Sequence, residues 1–139
     1  MYKMNAQQYL RQAYRLDELI KSNQEELRNL REQAVSIGAV DYSKDKIQSS
    51  PNNDAPFSKT VEKIIELEES IQADIDKLFN LKLEIREVIN NMVDADERLL
   101  LRCRYLSYHS WDEICEEMHL SLRSVFRIHT SALKNIKIP

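Results

Sequence analysis

The chain has 139 residues, room for one domain or a small domain with an extension. It carries a single glycine, Gly38, and three prolines, where roughly ten glycines are average at this length. Gly-rich phosphate loops, dinucleotide fingerprints and nucleophile elbows are therefore excluded, because each needs several glycines for tight turns or close backbone approach. The net charge is −3, with 31% of residues charged. Few helix breakers and many charges predict an all-α chain of long helices.

The first predicted helix runs from about Asn5 to Ile37. Its stripe is Tyr9, Ala13, Leu16, Ile20, Leu27, Leu30, Ala34 and Ile37, with Asn23 filling the one gap. Steps alternating between three and four keep these residues on one side of a helix about 50 Å long. A narrow stripe on so long a helix calls for another long helix to cover it. Asn23 is expected to set register or oligomeric state.

Gly38 is expected to end that helix, and residues 38–57 to form a mobile connector. Pro51 and Pro56 bracket Asn52, Asn53 and Asp54, which is turn chemistry. Ser58 is the expected cap of a second helix reaching Val93. Its stripe is Val61, Ile64, Ile71, Ile75, Leu78, Ile85, Ile89 and Met92, widened by Ile65, Leu67, Phe79, Leu81, Leu83 and Val88. The broader apolar face predicts more than one packing partner. Residues 1–93 are thus expected to form a long antiparallel helical hairpin, resembling a coiled coil.

Residues 94–139 form the expected second domain. Asp94 to Glu97 and Ser110 to Glu113 both have capping-box form. The first opens a helix with Leu99, Leu100, Leu101, Cys103 and Tyr105. After a turn at Leu106–His109, the second opens a short helix with Ile114, Cys115 and Met118 inward. His119–Ser121 is a three-residue turn, and Ser121 caps a last helix reaching about Lys137. Ile114 and Met118 must then meet Val125 and Ile128, with Leu120 plugging the turn. Cys115 supplies the small side chain at the crossing. His119 occupies the place where a left-handed residue is wanted. This pattern is that of a helix-turn-helix.

Residues 97–136, ERLLLRCRYLSYHSWDEICEEMHLSLRSVFRIHTSALKNI, resemble region four of bacterial sigma factors. The matching residues are Leu101, Arg104, Tyr105, Trp111, Glu113, Ile114, Met118, Leu120, Ser121, Val125, Ile128, Ala132 and Leu133. The whole chain resembles small phage and prophage proteins that place such a module behind a helical segment, including late-gene transcription regulators. The rest of a sigma factor is absent, so the resemblance implies a stand-alone regulator that binds double-stranded DNA, with the hairpin of residues 1–93 expected to supply a homodimer or a contact to RNA polymerase. Leu122 and Phe126 depart from the basic or polar residues usual early in that recognition helix.

The residues argue for DNA independently. Residues 121–139 hold Arg123, Arg127, Lys134 and Lys137 and no acid. Arg123, Ser124, Arg127, Thr130, Ser131 and Lys134 are expected opposite the apolar face of the last helix, in the major groove. Arg123 and Arg127 are assigned to bases. Ser124, Thr130, Ser131 and Lys134 are assigned to phosphates or base edges, and Arg102 and Arg104 to the backbone. Two rival readings are a DNA-packaging adaptor forming a many-subunit ring, and a protein-binding module using Leu122 and Phe126.

Cys103, His109, Cys115 and His119 lack the paired-knuckle spacing of a zinc site, so no metal is expected. No nucleophile with an oxyanion loop is available to His129, and no helix carries a Glu-x-x-His di-metal motif. No enzyme activity, cofactor or small-molecule substrate is expected. Two cysteines do not make a disulfide framework, and no apolar run is long enough for a membrane span, so a cytoplasmic location is expected.

Overall fold

The computed structural model describes residues 3–43 and 51–139. Among the described residues there are α-helices and no strand, as the composition predicts: α1 (Ala6–Ser43), α2 (Pro51–Asn90), α3 (Ala95–Leu101), α4 (Trp111–Met118) and α5 (Leu122–Asn135). A π-helical segment, Arg102–Leu106, continues α3. No helix among the described residues is long and apolar enough to cross a membrane.

The start of α1 is a reciprocal capping box. Gln8 N–H donates to Asn5 Oδ1 at 2.8 Å, and Asn5 N–H donates to Gln8 Oε1 at 3.0 Å. Together they satisfy two donors that the first turn leaves without intrahelical partners. Every member of the expected α1 stripe, Asn23 included, is buried or half-buried.

The helix ends differ from expectation. α1 passes Gly38 and continues to Ser43, and α2 starts at Pro51 rather than at Ser58. One glycine costs a helix only about 1 kcal/mol, too little to stop one already long. Proline is well placed at a first helical position, where its missing N–H has no intrahelical partner to lose. The central part of the expected connector, residues 44–50, lies outside the described residues.

The chain divides into two compact units, Glu18–Asp76 and Met1–Asp17 with Lys77–Pro139. In the first, Ile20, Leu27, Thr60 and Ile71 are buried. Thr60 satisfies its hydroxyl by donating to Pro56 O at 2.8 Å. Arg31 donates to Glu68 Oε1 at 2.8 Å, joining α1 to α2. Both side chains are exposed, so this ion pair contributes little to stability.

The second unit holds the main core. Tyr9, Leu10 and Ala13 of α1 pack with Ile85, Ile89 and Met92 from the end of α2. The same cluster takes in Leu100, Leu101, Cys103, Tyr105, Ile114, Val125, Ala132 and Ile136. Part of the broad α2 face stays uncovered: Phe79 and Leu83 are exposed. Between α2 and α3 the chain turns at Asn91–Asp94. Asp94 is extended and accepts from Glu97 N–H at 2.9 Å, so the predicted cap is in place. Arg98 donates to Met92 O at 2.8 Å and fixes the same turn.

Candidate nucleic-acid interface

α4 and α5 are each started by a serine. Ser110 Oγ accepts from Glu113 N–H, and Ser121 Oγ accepts from Ser124 N–H, both at 3.2 Å. Between the helices His119 is left-handed, with φ 56° and ψ 42°. Leu120 N–H then reaches back five residues to Cys115 O at 3.1 Å. A left-handed residue with this long return bond closes a helix within one turn. Ile114 and Val125, expected to face each other, are fully buried, while Met118 and Ile128 are half-buried.

Leu120 does not plug the turn. It is 36% exposed. Its backbone N–H closes the turn on Cys115 O instead.

α5 has two faces. Val125, His129 and Ala132 are buried, and Ile136 is buried just past its end. Arg123, Arg127, Thr130 and Lys134 are exposed at steps of four, three and four, one stripe along the helix. Among the described residues, the side chains of Arg123, Arg127 and Lys134 make no ion pair or hydrogen bond. The Thr130 hydroxyl donates to Phe126 O at 3.0 Å, which leaves its oxygen outward.

Two of the six expected contact residues are engaged inside the fold. Ser124 is half-buried and its Oγ accepts from Ser121 Oγ at 3.1 Å. Ser131 donates to Glu97 Oε1 at 2.6 Å. Arg102 and Arg104 are also held: Arg102 donates to Asn90 Oδ1 at 2.8 Å and Arg104 to His109 O at 3.0 Å.

A layer of rings supports the start of both helices. The Arg104 guanidinium lies 4.4 Å over the Trp111 ring. Trp111 meets Phe126 edge-on at 5.0 Å and His129 edge-on at 4.8 Å. Phe126 meets Trp111 within its own unit and still stays 42% exposed. Leu122, at 45%, is the other exposed apolar side chain at the start of α5.

The sequence gives no hint of what His129 does. It is buried, stacked on Tyr105, and its Nε2 shares a 2.7 Å hydrogen bond with the Tyr105 hydroxyl. Burial first, then the charges of Arg104 and Arg11, push its pKa down to about 4. It is a neutral structural link between α5 and the π-helical segment.

A cationic cleft of about 470 Å³ lies beside the start of α4. Arg11 and Arg15 of α1 line it with Arg104, three tyrosines, Ser110 and Glu113. Arg15 and Arg11 lie 89 and 93 residues from Arg104 in sequence, so no local motif could have grouped them.

The family model described as "Protein of unknown function (DUF1492)" matches residues 40–137. The chain belongs to this family. The DUF1492 match includes α2 to α5 in full, and with them the exposed stripe of α5 and its supporting ring layer. No curated protein and no solved structure matches the chain.

Proposed function

We propose that this DUF1492 protein is a sequence-specific DNA-binding regulator of transcription, of the phage and prophage kind. α4, the left-handed turn and α5 are read as its helix-turn-helix, with α5 as the recognition helix. The exposed row of Arg123, Arg127, Thr130 and Lys134 carries this reading. Three cations on one helix face, free of acidic partners, hold the donors that base edges and phosphates require. The opposite face of α5 is rooted in the core, so the row is presented on a rigid element.

Arg123 and Arg127 are assigned to bases, through the two-donor fork that suits guanine. Lys134 and Thr130 are assigned to phosphate or base edges, and the Arg11 and Arg15 cleft to the DNA backbone. Ser124 and Ser131 are given positioning roles, because their hydroxyls are committed inside the protein. α1 and α2 are read as an antiparallel hairpin that brings two copies together. So few cations bind DNA weakly alone, and two linked modules reach half-sites about 34 Å apart. RNA polymerase is a further partner in this reading.

The test is fluorescence anisotropy with DNA fragments from the genome that encodes the chain, in a salt series. The expected result is tight binding to one fragment, falling steeply with salt and lost in Arg123→Ala/Arg127→Ala. A folded protein that binds no fragment at low salt overturns the reading. It would favour instead a protein partner at the exposed Leu122 and Phe126.

A further inference from the structure

Three side chains that could bind a metal converge where the π-helical segment, the following turn and α4 meet. Cys103 is buried in the π-helical segment, His109 is half-buried in the turn, and Glu117 is exposed on α4. Cys103 Sγ donates to Glu117 Oε2 at 3.3 Å, and His109 Nδ1 is 3.0 Å from the same oxygen. One ligand atom from each of the three lies within 4.8 Å of the others. The spacing of cysteines and histidines along the chain argues against a zinc site because it omits Glu117. Cys115 and His119 are not in the cluster.

We propose that Cys103, His109 and Glu117 form a binding site for a single divalent transition-metal ion, Zn²⁺ by ligand chemistry. A thiolate, an imidazole and a carboxylate suit zinc, whereas Mg²⁺ and Ca²⁺ require oxygen ligands. Bond lengths of about 2.0–2.3 Å to each ligand place neighbouring ligand atoms about 3.3–3.7 Å apart in a tetrahedral site. The two observed separations, 3.0 and 3.3 Å, are already close to this. Small side-chain shifts suffice, and water takes the fourth position on the exposed side.

The proton balance is direct. The Cys103 thiol loses its proton to solvent when sulfur bonds the ion. The His109 imidazole binds through Nδ1 as the tautomer that carries its proton on Nε2, and any second proton leaves to solvent. Glu117 exchanges two hydrogen bonds for one metal bond. Burial and the neighbouring Glu117 carboxylate hold the Cys103 thiol up at about 11, so without a metal it stays protonated.

The backbone is already arranged for this. His109 N–H donates to Cys103 O at 2.9 Å, and Arg104 holds His109 O. The ion would fasten a turn that contains left-handed Tyr108, at φ 58°, directly before the Ser110 cap of α4. Its role is structural: it would fix where α4 begins.

Co²⁺ serves as the spectroscopic probe, added to the full-length reduced protein. The expected result is one equivalent bound, with visible bands of tetrahedral cobalt and the near-ultraviolet thiolate-to-cobalt band, all displaced by Zn²⁺. Cys103→Ser should abolish the thiolate band, and Cys115→Ser should keep it. His109→Gln and Glu117→Gln should each weaken binding at least tenfold. Circular dichroism of each variant verifies that it is folded. A folded wild-type protein without the thiolate band at stoichiometric Co²⁺ overturns the proposal. So does a band that survives Cys103→Ser.

Discussion

Ser131 Oγ donates a 2.6 Å hydrogen bond to Glu97 Oε1, tying the outer half of α5 to the first turn of α3. Asn135 Nδ2 donates to the same carboxylate at 3.0 and 3.2 Å. Glu97 is only 7% exposed. These donors give its carboxyl oxygens hydrogen-bond partners. The bond explains why a serine on a helix assigned to DNA is turned away from solvent.

Ser131 and Lys134 should therefore respond in opposite ways. Ser131→Ala removes an internal hydrogen bond to a buried carboxylate and should cost about 1–3 kcal/mol in urea unfolding. Its DNA affinity, measured well below the unfolding midpoint, should keep the wild-type salt slope. Lys134→Ala should leave stability within about 0.5 kcal/mol. If Lys134 touches phosphate, the salt slope should fall by about one. Identical salt slopes for wild type and Lys134→Ala would remove Lys134 from the interface.

His129 predicts a pH dependence. Its folded pKa is about 4, below the ordinary value of 6.5. Between those values the unfolded chain binds a proton that the folded chain does not. Stability is therefore full above pH 6.5 and falls as pH drops toward 4, with no further loss from this group below that. The loss has an upper bound of about 3 kcal/mol. Carboxylates also titrate at the low end, so the comparison is between wild type and His129→Gln. The urea midpoint of wild type should fall more between pH 7.5 and 4.5 than that of the variant. Parallel falls would mean that His129 does not titrate differently on folding.

His119 tests the turn itself. A non-glycine residue in the left-handed region costs about 1–2 kcal/mol, whereas glycine loses about 0.5–1 kcal/mol of chain entropy on folding. The first term is the larger, so His119→Gly should stabilise the protein by up to about 1 kcal/mol. His119→Val should destabilise it by more than 1 kcal/mol, since a β-branched side chain tolerates this region worst. Thermal unfolding of the three proteins gives the order. A valine variant as stable as wild type would mean that the turn does not hold His119 left-handed in solution.

What was legible in the sequence is local. The caps at Asp94, Ser110 and Ser121 use side chains three residues from their donors, and the left-handed His119 lies between two readable helices. The α1 stripe follows from a period carried over eight residues. The missed features need distance or compensation. Gly38 fails to stop α1 because one weak breaker does not offset the helix around it. Ser131 looks outward by helical spacing and turns inward only because Glu97, 34 residues earlier in the chain, arrives beside it. His129 and Glu117 were passed over for the same reason: their partners, Tyr105 and Cys103, belong to the π-helical segment, which no periodicity announced.

The cationic cleft offers a test that separates backbone contact from base reading. Arg11 and Arg15 are exposed on α1 and line the cleft with Arg104. Arg104 stacks on Trp111, and Trp111 meets Phe126, which neighbours Arg123 and Arg127 along α5. In the proposed DNA reading, cleft and exposed row contact the same duplex, the cleft at its backbone and the row at its bases. Phosphate contacts carry no sequence information, whereas base contacts do. Arg11→Ala/Arg15→Ala should weaken binding to specific and unrelated DNA by a similar factor, and lower the salt slope by about two. Arg123→Ala should instead cost about 1–3 kcal/mol on the preferred fragment and little on unrelated DNA. Anisotropy on both DNAs at two salt concentrations distinguishes the cases. Unchanged binding in the double variant would take the α1 cleft out of the interface and leave α5 to act without it.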